Sequence, residues 1–549
     1  MIPAMVRRNS PWTCFQPVLL CCLLLDAAWA QSPLSEARMR TDLDYLASNE
    51  LRGRLSMQPG AELAARFIAA EFEKAGLNPG NGRSFFQEFS LVAYQPGKGA
   101  RLRFQHAGTT QELGFGIDFS VSFPRQVSVK APLVFAGYGI TAPEYAYDDY
   151  AGLDVHGKIV LIFDHEPQET DARSVFNGTG HTRHAGRWLK IFNAQKHGAA
   201  GVLVAGEPLR KHRGPLDAVT RAAASAKTTP PGRSGQPSQR ITAPMQALED
   251  SEIRIPAFSI SDAAVSKLLA SSGKAPADLQ KSIDAQLKPA SFPLPDVVVE
   301  MRAGGGSQTR GRSLNVVGAI AGADPASRDQ TVLVSAHYDH LGTRSGIVYP
   351  GANDNGSGTA ALLELARSFQ QAVPRPKRAI LFVAFGSEEE GLLGSYYYVA
   401  HPLRPLAGTV VVNMDMIGRN EAHIPQSEGV LDIAADTSNE VNLVGAFYSP
   451  ALRQVIRQQN GTVGLTISEK FDREHALNTL FRCDHLPFLL HDVPAVWLFG
   501  GFHPGYHEPS DTVDRLNFAK LMKIANLAYL AAGALADAPS LPRFTANGR

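Results

Sequence analysis

The sequence predicts a layered α/β protein that is interrupted by a smaller β-rich region. From residue 297 to about residue 538, apolar runs typical of buried strands alternate with amphipathic segments at helical spacing. Between about residues 132 and 289, short strand candidates separated by polar turns replace that pattern. A chain of 549 residues also exceeds what one hydrophobic core usually supports, so more than one domain is expected.

Two other regions have a distinct composition. Residues 35–77 place apolar residues at helical spacing in two runs, and Gly76 is positioned to end the second, so we expect two helices that pack on the later sheet. A stretch rich in Arg, Ser, Pro, Gly and Thr predicts a long mobile loop at about 207–248.

Composition and charge narrow the function classes. Lys and Arg number 53 and Asp and Glu number 52, which gives a net charge of +1, and 44% of the residues are hydrophobic. These values are ordinary for a soluble globular protein, and they provide no basic face for nucleic acid. We therefore expect no nucleic-acid partner.

The first 30 residues predict a secretory signal peptide. Arg7 and Arg8 form a positive region, residues 17–25 an apolar stretch, and Ala28-Trp29-Ala30 a cleavage site. The apolar stretch is too short to span a bilayer as a helix. The sequence thus predicts an exported protein, periplasmic or secreted, with no membrane span in the mature chain.

Cysteine usage agrees with a protein held together by its core. Of the four cysteines, Cys14, Cys21 and Cys22 fall inside the predicted signal peptide, so the mature chain keeps only Cys483. An intramolecular disulfide is then impossible. We expect Cys483 to be a buried thiol rather than a nucleophile.

Five short polar segments hold the candidate chemistry. They are SAHYDHLG with His337, GANDNGSG with Asp354, GSEEEGLLGS with Glu388 and Glu389, VNMDMIGR with Asp415, and GYHEPSDT with His507. Several follow apolar runs, which places their side chains at the carboxyl end of buried strands, where open α/β sheets bind ligands. Each segment alone has a plain alternative, such as a hydrogen-bonded structural histidine, a helix-capping turn or a solvated charge run.

Taken together, the segments favour a metal site. Asp415 lies inside an apolar run, where an isolated carboxylate would suffer a heavy desolvation penalty and therefore needs a metal or a cationic partner. Two histidines with three or four carboxylates suit zinc. If one aspartate is shared, five side chains suffice for two ions about 3.5–4 Å apart, and one glutamate is left as a general base.

In this order and at this spacing, the segments resemble the co-catalytic zinc aminopeptidases of clan MH, which also contains glutamate carboxypeptidase. The resemblance covers residues 42–94 and 312–536, and residues from about 126 to 289 are similar to the protease-associated (PA) domain that some members insert. It implies a three-layer domain with a mixed, mostly parallel twisted sheet flanked by helices. The expected division is a discontinuous peptidase domain at 31–127 and 291–549, with the PA domain at 128–290.

The resemblance also implies a role for each metal ligand. By position, His337 and Asp415 would hold one Zn²⁺, Glu389 and His507 would hold the other, and Asp354 would bridge the two ions. Two Zn²⁺ per chain are therefore expected.

Other residues fall at catalytic or supporting positions of the same family. Glu388 matches the general base, and Tyr506 matches a residue that stabilises the oxyanion in some members. Asp339 is expected to accept the second ring N–H of His337, Asp511 to take another supporting position, and Glu390 to be a bystander.

The activity implied is that of a metallo-exopeptidase. An aminopeptidase would release N-terminal residues from peptides or proteins through a water held by both zinc ions, with Glu388 as general base. A carboxypeptidase or dipeptidase could use the same site, because zinc motifs do not define which terminus is recognised. A receptor-like binding protein and a glutaminyl cyclase are further alternatives, which the complete ligand set and the inserted region disfavour.

Overall fold

A computed structural model describes residues 34–94, 99–123, 128–210, 245–303 and 308–548. The predicted signal peptide and most of the predicted loop at 207–248 lie outside the described residues.

The first segment contains the two helices that the sequence predicts. Its elements are α1 (Glu36–Leu46), α2 (Pro59–Ala75), β1 (Asn78–Pro79) and β2 (Phe86–Tyr94). The Ser35 hydroxyl caps α1 by accepting a hydrogen bond from the Arg38 N–H. Gly76 ends α2 in the left-handed region, with φ of 84°, which glycine adopts without strain.

The middle segment forms most of a second sheet. Its strands are β3 (Arg101–His106), β4 (Thr109–Leu113), β5 (Phe119–Phe123), β6 (Ser128–Phe135), β7 (Thr141–Ala142), β8 (Tyr147–Asp148), β9 (Ile159–Phe163), β10 (Gly201–Ala205), β11 (Met245–Leu248), β12 (Ala257–Ile260) and β13 (Phe292–Arg302). Its helices are α3 (Arg187–Lys196), α4 (Asp262–Leu269) and α5 (Pro276–Gln286). The eight-stranded sheet has the order β4-β3-β13-β6-β9-β10-β12-β5.

Sheet membership differs from the predicted limits of 128–290. Strands β3, β4, β5 and β13 lie outside those limits, yet they hydrogen-bond into the inserted unit's sheet. Strand β11 lies inside them but pairs antiparallel with β2 in the larger sheet. The apolar alternation of these strands does not specify a partner, and only the pairing assigns them to a sheet. The strands of the eight-stranded sheet extend from residue 101 to residue 302, and this region, apart from β11, is the inserted unit.

The last segment completes the larger domain. Its strands are β14 (Gln308–Ile320), β15 (Thr331–His337), β16 (Thr343–Arg344), β17 (Ile347–Val348), β18 (Ala379–Phe385), β19 (Thr409–Asp415), β20 (Glu440–Val444), β21 (Thr466–Ser468) and β22 (Ala495–Phe499). Its helices are α6 (Gly358–Gln371), α7 (Leu393–Ala400), α8 (Pro450–Val463), α9 (His485–Leu490) and α10 (Phe518–Asp537).

The larger sheet is mixed and has helices on both faces. Its order is β11-β2-β14-β18-β15-β19-β22-β20-β21, with β1 paired to β14. Val332 and Val334 of β15 pack in one core with α1, α2, α6, α8 and α10, whereas Leu333 packs in another with α7 and α9. The three-layer prediction is therefore confirmed. Parallel pairing is concentrated in β18, β15, β19 and β22, and the flanks are largely antiparallel, so "mostly parallel" holds only for the centre.

Within the described part of the chain, α10 is the one helix long and apolar enough to cross a membrane. Its most apolar window is 72% buried. Leu521, Ile524 and Leu535 of this helix lie in the same core as β15, which is the environment of a core helix in a layered domain.

Candidate functional site

The candidate side chains meet at the carboxyl ends of the central parallel strands. His337 is the last residue of β15 and Asp415 the last of β19, while Glu388 and Glu389 follow the end of β18. His507 reaches the same edge from the loop after β22. Because these parallel strands end at one edge of the sheet, polar residues distant in sequence become neighbours there.

One group of possible ligand atoms surrounds the His337 ring. Its Nε2 lies 3.4 Å from Asp354 Oδ1 and 3.4 Å from Asp415 Oδ1. All three residues are buried. One ligand atom from each lies within 4.8 Å of the others, so the group could hold a metal ion.

A second group shares Asp354 with the first. His507 Nε2 lies 3.1 Å from Asp354 Oδ2 and 3.1 Å from Glu389 Oε2. The two oxygens of Asp354 therefore face two different histidines. A carboxylate in this position could bridge two cations.

The donor set and its spacing fit zinc. A tetrahedral ion with ligands at about 2.0–2.1 Å holds its ligand atoms about 3.3 Å apart, close to the distances above. His337 Nε2 and Asp415 Oδ1 are also buried, and neither atom has a hydrogen-bond partner among the described residues. Such atoms are costly in a folded protein unless a cation or a proton satisfies them.

Asp339 and Asp511 hold the loops that carry the ligands. Asp339 accepts the backbone N–H of Glu388 at 2.9 Å. Asp511 accepts the backbone N–H groups of Asn353 and Asp354 at 3.0 Å through its Oδ2. The predicted hydrogen bond from the His337 ring to the Asp339 carboxylate is wrong, because the ring contacts the backbone of Asp339 instead. His337 Nδ1 donates to the backbone carbonyl of Asp339 at 3.2 Å, while Oδ1 lies 3.8 Å away, because the carboxylate turns toward the residues after β18.

Sequence reasoning missed two supporting contacts. His340 Nδ1 donates to Glu389 Oε1 at 2.7 Å, which fixes the carboxylate that faces His507. The Cys483 thiol is fully buried and lies 3.2 Å from Asp415 Oδ2, to which it donates. His340 belongs to the HYDH segment of the sequence, but its contact with Glu389 depends on the turn after β15. The buried thiol was expected, and its contact with a candidate ligand was not.

Electrostatics at the site follow from the mixture of rings and carboxylates. Burial alone would raise the pKa of Asp354, but hydrogen bonds from His337 and His507 hold it well below its usual value. Burial would lower the pKa of His507, whereas Glu389 and Asp354 raise it to about 10. The rings thus bind protons where a metal ion would compete for the same atoms.

Glu388 has different surroundings from Glu389. Its closest approach to a candidate ligand ring is 3.8 Å, from Oε2 to His337 Nε2. Burial raises the pKa of Glu388 well above its usual value, and Asp484 and Glu389 add to the effect. For Glu389, burial is outweighed by His507, which holds the pKa at about 2. The adjacent glutamates therefore separate into a proton-holding group and an ionised one.

Tyr506 stacks on the ring of the neighbouring candidate metal ligand, His507. Its ring centroid lies 3.9 Å from that of His507 and 5.3 Å from that of Phe502. Met416, Trp497 and Phe502 form an apolar wall around the site, and Arg482 is the cation among its lining residues. Burial raises the pKa of Tyr506 well above its usual value, so its hydroxyl stays a donor.

Three further residues lie away from the ligand groups. His503 is buried, and its Nε2 lies 2.9 Å from the side-chain nitrogen of Asn353. His485 is fully buried, and its ring lies 5.7 Å from that of Trp497, which lines the pocket. Glu390 lines a separate cavity between the two units.

Taken together, these side chains form a candidate metal centre at the carboxyl ends of the parallel strands. Residues 315–532 match the family model described as Peptidase family M28. Residues 129–268 match the PA domain. The chain therefore contains a region similar to peptidase family M28 and, before it, a region similar to the PA domain.

Some of the proteins to which this chain is similar are named as aminopeptidases. The chain is 30% identical to the uncharacterized protein YfbL of Escherichia coli over 218 residues, which are 36% of this chain and 64% of that protein. It is 29% identical to aminopeptidase YwaD of Bacillus subtilis over 232 residues, 40% of this chain and 44% of the relative. The matches thus span less than two thirds of both relatives. A solved aminopeptidase from Aneurinibacillus sp. strain AM-1 aligns over 94% of this chain and 97% of its own, at 20% identity and a TM-score of 0.46.

Proposed function

We propose that this chain is an exported di-zinc aminopeptidase that removes N-terminal residues from peptides. The observation that carries the proposal is the position of Asp354, whose two oxygens lie 3.4 Å from His337 and 3.1 Å from His507. A single shared carboxylate between two nitrogen ligands is the minimum needed for two neighbouring ions.

The chain offers a complete ligand set for both ions. His337 and Asp415 would hold one zinc, Glu389 and His507 the other, and Asp354 both. Bound zinc supplies a Lewis acid that favours deprotonation of water and polarises a carbonyl oxygen. His340 and Cys483 orient the carboxylates of Glu389 and Asp415 by hydrogen bonds, as groups behind metal ligands commonly do.

Glu388 is the group best suited to move protons. Its backbone is anchored by Asp339, and its side chain stands farther from His337 than Asp354 and Asp415 do. The charge of bound zinc would offset the raised pKa of this buried carboxyl group, so Glu388 could accept a proton from water and return it. Glu388 would take a proton from the attacking water and pass it to the leaving amine.

Tyr506 would stabilise the charge that develops on the scissile carbonyl oxygen. Stacking on His507 and packing on Phe502 hold the phenol ring at the edge of the site. A hydroxyl donor fixed in advance contributes most when it interacts with the transition state more strongly than with the substrate.

The proposed ligand set is compatible with recognition of a free α-amine. A neutral amine could bind beside the zinc that Glu389 and His507 would hold, with the Glu388 carboxylate in the same pocket. The relative named aminopeptidase YwaD points to the same class.

Arg482 supports a second candidate function. It lines the same pocket, and its Nε donates to the Leu477 carbonyl at 2.8 Å, which fixes the guanidinium beside the site. A fixed guanidinium recognises a terminal carboxylate well. A carboxypeptidase or dipeptidase on the same zinc ligands is therefore the alternative to test.

Peptides blocked at one end distinguish these activities. The zinc-loaded mature chain is incubated with one pentapeptide in free, N-acetylated and C-amidated forms, and products are identified by mass spectrometry. We expect cleavage of the first bond in the free and amidated peptides and no cleavage of the acetylated one. The opposite pattern would identify a carboxypeptidase. Cleavage of a free dipeptide, assayed alongside, without cleavage of any pentapeptide would identify a dipeptidase. No cleavage of the dipeptide or of any pentapeptide by protein with two zinc ions at this centre would refute the peptidase proposal.

Export is tested separately from catalysis. The proposed signal peptide predicts cleavage after Ala30, so protein recovered from the periplasm or the medium should begin at Gln31. An intact N-terminus on cytoplasmic protein would contradict export while leaving the catalytic proposal unaffected.

A further inference from the structure

A second cluster of metal-ligand side chains lies in the inserted unit and shares no residue with the candidate catalytic centre. It contains His165, Glu169 and His181, all buried, with one possible ligand atom from each within 4.8 Å of the others. Glu207, also buried, adds a carboxylate oxygen 3.4 Å from His165 Nδ1.

The cluster occupies the equivalent edge of the second sheet. Strands β9 and β10 are neighbouring parallel strands. His165 lies two residues after the end of β9, and Glu207 lies two residues after the end of β10. Their side chains therefore meet at the carboxyl ends of parallel strands, as the catalytic candidates do in the larger sheet.

The spacing of the atoms fits one small cation. Glu169 Oε1 lies 3.8 Å from His165 Nδ1 and 3.6 Å from His181 Nδ1. A tetrahedral zinc ion with ligands at about 2.0–2.1 Å requires separations of about 3.3 Å, so a shift of a few tenths of an ångström would close the site. Two imidazole nitrogens with carboxylate oxygens are a donor set that zinc accepts.

The tautomer of His181 gives a second and independent indication of a cation. Its Nε2 contacts the backbone carbonyl of His475 at 3.0 Å and Asn478 Oδ1 at 2.8 Å, so Nε2 must be the protonated nitrogen. The other ring nitrogen, Nδ1, has no hydrogen-bond partner among the described residues and lies 3.6 Å from Glu169 Oε1 and 3.9 Å from Glu166 Oε1. In the neutral ring, the lone pair of Nδ1 faces these oxygens. A lone pair facing carboxylates is repulsive unless a cation lies between them.

Neighbouring groups hold the other possible ligands in place. The Tyr138 hydroxyl donates to Glu207 Oε1 at 2.9 Å, which leaves Oε2 as the oxygen nearest His165. Glu166, whose Oε1 lies 3.9 Å from His181 Nδ1, accepts hydrogen bonds from the backbone N–H and the hydroxyl of Thr182. Such contacts behind the ligands are typical of built metal sites.

Two cationic side chains lie near the cluster and reduce its negative charge, but they do not occupy the space between the proposed ligands. Arg210 approaches Glu207 at 3.3 Å and Glu169 at 3.8 Å, and it also pairs with Asp284 at 2.5 Å. Lys190 donates instead to the backbone carbonyls of Tyr138 and Phe163. Among the described residues, neither of these cations is a hydrogen-bond partner of His181 Nδ1.

We propose that His165, Glu169 and His181, with Glu207 as the fourth ligand, bind a structural zinc ion in the inserted unit. A closed site with four protein ligands would not leave an open position for substrate. Because His181 bonds residues 475 and 478 through its other nitrogen, the ion would also stabilise the contact between the inserted unit and the larger domain.

Counting zinc in matched variants tests the proposal. The full mature chain is loaded with zinc, freed of excess metal by gel filtration and analysed by mass spectrometry of the element. We expect His165→Gln and Glu169→Gln to retain one zinc ion fewer than the wild type. The control is His184→Gln, which alters a histidine of the same unit, equally buried, that bonds Glu144 instead and should retain the full count.

A combined His337→Ala and His507→Ala variant separates this site from the catalytic centre. It should retain the zinc of the inserted unit while losing that of the centre. Equal zinc in the wild type and in folded His165→Gln and Glu169→Gln proteins would overturn the proposal.

Anomalous diffraction at the zinc edge decides the matter without any variant. Crystals of the zinc-loaded wild type should show a peak between His165 Nδ1 and His181 Nδ1. Absence of that peak, with peaks present at the catalytic centre, would likewise overturn the proposal.

Discussion

Replacing each of the three consecutive glutamates by glutamine distinguishes their roles. Glu388 lies 3.8 Å from the nearest candidate ligand nitrogen, whereas Glu389 lies 3.1 Å from His507 and Glu390 lines a different cavity. Glu388→Gln preserves size and the backbone contact with Asp339, but an amide cannot accept the proton of water. This substitution should therefore remove proton transfer and leave the metal ligands unchanged.

The expected loss follows from the contribution of a positioned general base. Such a group accelerates a reaction by about 10²–10⁴-fold, which corresponds to about 3–5 kcal/mol of activation free energy. We expect kcat/KM of Glu388→Gln to fall by a factor in this range, with KM little changed and the wild-type zinc content retained. Steady-state hydrolysis of an N-terminally free peptide and zinc analysis of the same sample provide both measurements.

The two neighbouring substitutions are the controls. Glu389→Gln should lose zinc as well as activity, because His507 would lose a charged partner at its metal position. Glu390→Gln should behave like the wild type in both measurements. Near-normal turnover by zinc-replete Glu388→Gln, or a selective loss of activity in Glu390→Gln, would show that the register of the acidic run is misassigned.

Three further predictions concern metal binding, stability and pH. Asp354→Asn should lower the zinc content of the catalytic centre and abolish activity, because one residue serves both ligand groups; elemental analysis after gel filtration measures this. Arg367→Met should lower the free energy of unfolding, measured by urea denaturation, by about 3–5 kcal/mol. The reason is that the buried carboxylate of Asp42 loses the guanidinium that lies 2.6 Å from it. Burial opposes protonation of His491, but its contact with Glu252 at 3.2 Å raises the pKa. The stabilisation of the wild type over His491→Gln should then be fully present below about pH 6.5 and disappear as pH rises through the raised pKa, as thermal unfolding at several pH values would show.

Controls for the stability predictions come from the same chain. Arg66→Met removes an exposed i,i+4 pair with Glu62 and should cost about 0.5 kcal/mol or less. An equal cost for Arg367→Met and Arg66→Met would contradict the role given to the buried pair. A difference between wild type and His491→Gln that does not change with pH would contradict the assignment of the proton to His491.

The sequence was most informative where a buried strand ends in a polar turn. The apolar runs before His337 and Asp415 predict strands buried on both faces, and the carboxyl-end rule then brings those residues together. It was least informative about pairing partners. Strand β3 and its neighbours alternate as strands do in either unit, so their sheet could not be assigned from periodicity.

Contacts that depend on tertiary geometry were also beyond sequence reasoning. The i and i+2 rule placed the Asp339 carboxylate on the face of His337, but the chain turns after β15 and the backbone carbonyl takes that contact. The cluster around His165 and Glu207 has no motif spacing, because its members come from the ends of two strands and the loop between them. Only the parallel pairing of those strands brings them together.

One continuous segment connects the two proposed metal sites. The chain at His475 and Asn478 accepts the bonds of His181, and a few residues later Cys483 donates to Asp415. Proximity along a chain does not establish energetic coupling, which requires a measured effect at one site of a change at the other. If this segment couples the two sites, Glu169→Gln should lower kcat/KM at the catalytic centre more than the control His184→Gln does. The zinc content of the catalytic centre should be unchanged in both variants. Equal kcat/KM values would mean that the segment joins the two units without linking the two sites.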